Sequence, residues 1–113
     1  MKLREIDKMI KVLKGYRLLQ IQVEFPGMYE YLSYQVMNHQ LDLEIIMTSR
    51  ERHIIDLKRY LIQYYKAQGY SISNIALFFN MNHSTVISHI KKHDELYKYD
   101  PDYKTYVNRL NNG

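Results

Sequence analysis

The chain has no cysteine, no tryptophan, four glycines and two prolines in 113 residues. Without cysteine there is no disulfide framework, no thiol nucleophile and none of the usual thiolate zinc sites. Gly15, Gly27, Gly69 and Gly113 are scattered, and none precedes a Lys-Ser or Lys-Thr pair. A glycine-rich loop that cradles a nucleotide phosphate is therefore absent. No apolar run approaches the roughly 20 residues that a membrane-spanning helix requires, and no charged-then-apolar leader opens the sequence. A cytoplasmic chain with no membrane partner is the expectation. Two alanines only, Ala67 and Ala76, stand against many Ile, Tyr, Asn and Lys residues, a bias that reports an AT-rich coding sequence more than a function.

Hydrophobic residues make up 46% and charged residues 25%, which suits a globular domain and argues against disorder. A net charge of +4 and a pI of about 9.2 are compatible with an anionic partner such as nucleic acid, but many small proteins share them. Leu3, Ile6, Ile10 and Leu13 fall on one helical face. The stretch "LLQIQVEF" that follows Gly15 and its neighbours alternates like a strand, yet no second strand is available to pair with it. One helix from about residue 3 to 24 is expected, broken by Pro26-Gly27. A second helix is expected over residues 28–38, then a short one capped by Asp42. A long helix should then place Ile54, Leu57, Leu61 and Tyr65 together and end near Gly69. Its start is open: Thr48 with Glu51 reads as a capping box, while Asp56 is also a good cap. Ser71 caps a short helix burying Ile72, Ile75, Ala76 and Phe79. After Asp100-Pro101 a last helix carries Tyr103, Tyr106, Val107 and Leu110. The fold class is all-α, a small helical bundle.

The informative stretch is "SISNIALFFNMNHSTVISHI", residues 71–90. Two apolar faces flank one break at Asn80-Met81-Asn82, the pattern of a helix-turn-helix. Asn80 sits where such a turn needs a left-handed residue, which Asn tolerates. The second helix, from about His83, buries Val86, Ile90, His93 and Tyr97 and sets Ser84, Ser88, Lys91 and Lys92 opposite. Its free first-turn N–H groups suit phosphate, and Ser84, Thr85 and Ser88 can bond to phosphates or base edges. Ordinary helical bundles also contain short helix pairs with surface serines, so the pattern alone leaves a structural or protein-binding pair open.

The segment "NHSTVISHIKKHDELYKYDPDYK" resembles the C-terminal DNA-binding domain of the bacterial replication initiator DnaA, a Trp-repressor-like helix-turn-helix family. There an Asp-His-Thr-Thr-Val-Leu-His signature opens the recognition helix ahead of a basic pair. His83 stands at its first histidine, Ser84 and Thr85 at the threonines, Val86 at the valine, and Lys91 and Lys92 at the basic pair. Upstream, "SRERHIIDLKRYLIQYY" resembles the family's basic loop and following helix, and "SISNIALFF" its Ser-Leu-Pro-Glu-Ile-Gly segment. The likeness spans roughly residues 41–110. It implies a recognition helix in the major groove of duplex DNA and a basic loop residue, Lys58 or Arg59, in the minor groove. Asp56-Leu57 stands where the family has Arg-Pro, which weakens that second contact. Arg50 and Arg52 are candidate phosphate contacts. Asn82 replaces an aspartate, Ser88 the second histidine, and the turn is one residue shorter, so the expected site is related to the DnaA box but distinct from it.

The expected organisation is an N-terminal amphipathic helical extension, residues 1–27, and a DNA-binding domain, residues 28–113. The extension covers the domain's flank, or pairs with a second copy or another protein. The candidate DNA-binding residues are Lys58, Arg59, Asn82, His83, Ser84, Thr85, Ser88, Lys91 and Lys92. Neither a catalytic set nor a cofactor is expected: no serine has an evident base, and the DnaA ATPase module is absent. His89 and His93 are four apart but lack a third ligand, so they read as residues at the core and its edge. The twelve tyrosines read as core and rim rather than as base-stacking platforms. A bacterial nucleoid, or a bacterial host cell if a mobile element encodes the chain, is the implied location. The competing class is a non-enzymatic protein-interaction module.

Overall fold

The computed structural model describes residues 19–38, residue 46 and residues 50–112. The protein is all-α, a small helical bundle, with no strand among the described residues. It divides into two compact units, Met1–Glu44 and Ile45–Gly113. The expected helical stripe of Leu3 to Leu13 and the cap at Asp42 lie outside the described residues.

In the first unit, residues 19–24 are helical, Phe25 interrupts, and helix α1 runs Pro26–Asn38. The described part of the alternating "LLQIQVEF" is therefore helical from Leu19 through Glu24, with Ile21 buried and Leu19 and Val23 exposed. The expected break at Pro26-Gly27 falls one residue earlier. Proline disfavours helical geometry in the residue before it, yet its fixed φ suits a first helical position, where no N–H partner is needed. Hydrogen bonds persist on both sides of the break, from Phe25 N to Ile21 O at 2.8 Å and from Tyr29 N to Phe25 O at 2.9 Å. Met28, Leu32, Gln35 and Val36 form the buried face of α1.

The second unit contains α2 (Arg52–Ala67), α3 (Ile72–Phe79), α4 (His83–Tyr99) and α5 (Pro101–Asn112). Helix α2 starts at neither expected cap. Glu51 is its N-cap and makes no side-chain cap bond, while Asp56 lies inside the helix. Thr48 is outside the described residues. Burial of Ile54, one turn before Leu57, rewards a helix that begins upstream of Asp56 more than a cap at Asp56 would. At the other end Gly69 has φ +100°. Its N–H bonds to Lys66 O at 3.1 Å and the N–H of Tyr70 to Tyr65 O at 3.1 Å, a Schellman stop. Tyr70 then packs edge-on against Tyr65 at 5.9 Å between ring centroids, the apolar contact that accompanies such a stop.

Helix α3 is closed by the same device. Ser71 Oγ accepts from Asn74 N at 3.1 Å at its start. Asn80, at φ 54° and ψ 53°, is left-handed at its end, and Met81 N bonds to Ala76 O at 3.0 Å. Asn80 is the non-glycine residue with positive φ among the described residues, as the turn chemistry predicted. Asn80→Ala is expected to cost about 1 kcal/mol, because alanine tolerates the left-handed region poorly, and Asn80→Gly to cost nothing. Urea titration of the two variants checks this; equal midpoints would show that the turn does not hold that conformation in solution.

Helix α4 packs against α2, α3 and α5, so its inner face is held from three directions. Asp100 Oδ1 accepts from Asp102 N at 3.0 Å and Tyr103 N at 3.2 Å, stopping α4 and capping α5 in a single residue ahead of Pro101. The core combines Ile54, Leu57, Leu61, Tyr65, Ile75, Phe78, Phe79, Val86, Tyr103 and Val107, all buried. Tyr60 OH donates to Asn111 Oδ1 at 3.0 Å, tying α2 to the end of α5.

Candidate nucleic-acid interface

With Val86 and His93 facing inward, the 3.6-residue period leaves Ser84, Ile87, Ser88 and Lys91 outward, and all four are exposed. Thr85 is half-buried at the edge of this face, and His83, Asn82 and Lys92 are exposed. Asn82 is the N-cap of α4 but makes no side-chain cap bond. The first-turn N–H groups of His83, Ser84 and Thr85 thus carry the positive end of the helix dipole with no cap from that amide. His83 Nε2 lies 3.0 Å from Ser73 Oγ on α3, so the histidine is tied across the turn. Lys92 Nζ pairs with Glu95 Oε1 at 3.3 Å, while Lys91 has no ion-pair partner among the described residues. The structure brings six of the nine candidates, from His83 to Lys92, onto one helix, with Asn82 as its N-cap.

Lys58 and Arg59 are placed elsewhere. The resemblance put one of them in an exposed basic loop; both instead lie mid-way along α2, and Lys58 is buried. Desolvation by burial holds the Lys58 ammonium below the ordinary lysine range. Arg59 Nη1 donates to Asp56 Oδ1 at 3.1 Å, and the buried Arg59 Nε has no acceptor among the described residues. The exposed cations near that end of α2 are Arg50 and Arg52, the latter 3.8 Å from Asp100 Oδ2.

Arg59 belongs to a polar cluster between α2, α4 and α5. His93 Nδ1 sits 2.7 Å from the hydroxyl of Tyr103. Burial raises the Tyr103 phenol well above its usual range, and burial with the nearby Asp56 charge pushes Tyr106 up to about 12. Burial also lowers His93, with Asp94 opposing and Arg59 assisting. His89 is lowered by burial, then by Arg59 and Lys58. Both folded histidine pKa values lie below the ordinary histidine value of 6.5, so the unfolded chain binds protons more readily. Their contribution to stability is complete above about pH 7 and is lost as pH falls through 6.5 towards the lowered values. The thermal midpoint is expected to drop between about pH 7.5 and pH 5.5. A His89→Gln, His93→Gln double variant should lose less over that interval; an equal drop would assign the effect to carboxylates.

Among the described residues no group of three or more His, Asp or Glu side chains is placed to hold a metal ion, and no helix is long and apolar enough to cross a membrane. Sequence reasoning missed Ile87, which leaves 38% of its surface exposed between Ser84 and Ser88. The signal was present in the period, since the stripe that turns Val86 and His93 inward turns Ile87 outward. No family model matches the chain, and neither the curated proteins nor the solved structures include a match to it.

Proposed function

We propose that this protein binds duplex DNA sequence-selectively, without catalysis or nucleotide, through the outward face of α4 in the major groove. The observation that carries the reading is the conjunction at one helix start. A three-residue turn presents a helix N-terminus with no side-chain cap, and Ser84, Ser88 and Lys91 stand exposed behind it. Hydroxyls and amides can read base edges, free N–H groups and lysine can hold phosphates, and Ile87 can meet a thymine methyl. The likeness of His83, Thr85, Val86 and Lys91-Lys92 to the DnaA recognition helix supports the same reading, and points to a replication or transcription role.

The minor-groove contact is moved in this proposal from Lys58 and Arg59 to the exposed Arg50 or Arg52. Asn82 in place of an aspartate shifts the preferred edge from the amino group of cytosine towards adenine, because an amide both donates and accepts. The preferred duplex is therefore a relative of the DnaA box rather than the box itself.

Binding to labelled duplex is expected to weaken steeply as salt rises, through release of counterions from phosphates. Lys91→Ala should weaken binding to all sequences alike and flatten that salt slope by about one unit, while Thr85→Ala should relax selectivity by about 1–3 kcal/mol at one or two base pairs. Competition binding at several salt concentrations separates the two. Thr85→Ala with an unchanged preference refutes the recognition-helix assignment. A second reading, a protein-interaction module, draws on Val23 and Met37 of the first unit, which are 73% and 78% exposed. Absence of duplex binding even at low salt would favour it.

A further inference from the structure

We infer that Ser73, on α3, is a specificity-determining positioning residue: it holds the His83 imidazole by Nε2 and so leaves Nδ1 as the ring nitrogen that can read DNA. The inference rests on the proposed DNA-binding reading and adds to it a residue outside the recognition helix. His83 opens α4 and Ser73 lies in the first turn of α3, ten residues earlier, with Oγ and Nε2 at 3.0 Å. The two helices are fixed relative to each other by the left-handed Asn80 turn and by the buried Ile75, Ala76 and Val86. That pair therefore meets across a rigid junction rather than along a flexible chain.

The chemistry gives the bond a direction. Ser73 is the second residue of its helix, and residue 69, four before it, is a left-handed glycine outside any helix. No i−4 helical carbonyl is available to take the Ser73 hydroxyl proton, as one would deeper in a helix. A neutral imidazole nitrogen is a stronger acceptor than a hydroxyl oxygen, so Ser73 Oγ–H donates to Nε2. The imidazole proton then resides on Nδ1, because a neutral ring carries one donor and one acceptor. Nδ1–H is then the ring's one remaining donor for a base edge. It can bond guanine N7 or O6, adenine N7 or thymine O4, and it cannot satisfy the amino group of cytosine. Without Ser73 the ring is free to turn and to adopt the other tautomer, and the distinction is lost.

The test uses the full chain, wild type and Ser73→Ala, Ser73→Thr and His83→Ala. All three changes are at exposed positions and leave the core untouched. Nitrogen-15 chemical shifts of His83 without DNA report the tautomer directly. Wild type and Ser73→Thr are expected to hold the proton on Nδ1, and Ser73→Ala to shift to a mixture. In selection from a randomised duplex pool, Ser73→Ala and His83→Ala should each lose preference at the same single base pair by about 5-fold, the low end of what one pair contributes. Ser73→Thr should retain the preference, and affinity for unrelated duplex should not change in either Ser73 variant. An unaltered tautomer or an unaltered preference in Ser73→Ala overturns the inference. A wild-type chain that binds no duplex refutes DNA binding itself and the base-reading half of the inference with it. In that case the nitrogen shifts still decide whether Ser73 sets the ring.

Discussion

Phe78→Ala is expected to destabilise the second unit by about 3–5 kcal/mol, the usual cost of a large aromatic removed from a packed core. Phe78 is fully buried, with its ring edge-on to Tyr65 at 5.7 Å and to Phe79 at 5.0 Å between centroids. Tyr65 in turn closes the Schellman stop of α2 through Tyr70. One truncation therefore removes packing from the junction of α2 with α3 and leaves a cavity that backbone on either side cannot fill. Small domains have only about 5–15 kcal/mol in total, so the variant should be partly unfolded or nearly so at 37 °C. The adjacent Leu77, 59% exposed, supplies the control: Leu77→Ala should change stability by no more than about 0.5 kcal/mol. Urea unfolding with unchanged m values measures both. Similar midpoints for the two variants would show that the aromatic cluster is not the core of this unit.

Asp56→Ala is expected to cost about 3 kcal/mol, nearly as much, for a different reason. The Asp56 and Arg59 side chains are only 21% and 14% exposed and are 3.1 Å apart. Arg59 Nε is already buried without an acceptor among the described residues, so losing Asp56 would strand the guanidinium further. An unpaired buried charge is costly, whereas replacing both partners with apolar groups of similar volume is often neutral or favourable. The double variant Asp56→Ala, Arg59→Met should recover most of the loss. A double variant as unstable as the single one would mean that Asp56 acts through something other than Arg59. Since Arg59 also depresses His89 and His93, the double variant should raise both histidine pKa values, which proton NMR titration reads independently of stability.

The same pair marks where reading the sequence stopped short. A basic residue next to an acidic one in "IIDLKRYL" looks identical on paper whether it lines a DNA-binding loop or lies inside a helix. Its environment depends on α4 and α5, which are about thirty to fifty residues away. The apolar spacing of Ile54, Leu57, Leu61 and Tyr65 was legible, and so was the stop at Gly69, because both rest on local periodicity and on the φ that glycine allows. The start of α2 was not. A cap at Asp56 was chemically reasonable, but burial of Ile54 outweighs the roughly 1 kcal/mol that a cap contributes. In "LLQIQVEF" a two-residue alternation pointed to a strand that the missing partner argued against, and the helix reading followed from that absence.

Around the turn the division is equally physical. Ser71, Asn80 and Pro101 act within a few residues of themselves, through a hydroxyl acceptor, a tolerated left-handed backbone and a fixed φ. Local chemistry was therefore enough to place two helices about a three-residue turn, and to identify the face of the second that carries Ser84, Ser88 and Lys91. The packing of neighbouring helices is what puts Lys58 and Arg59 inside the bundle and brings Ser73 to His83. Each of these depends on which helix lies opposite, and periodicity along one helix carries no information about its neighbour.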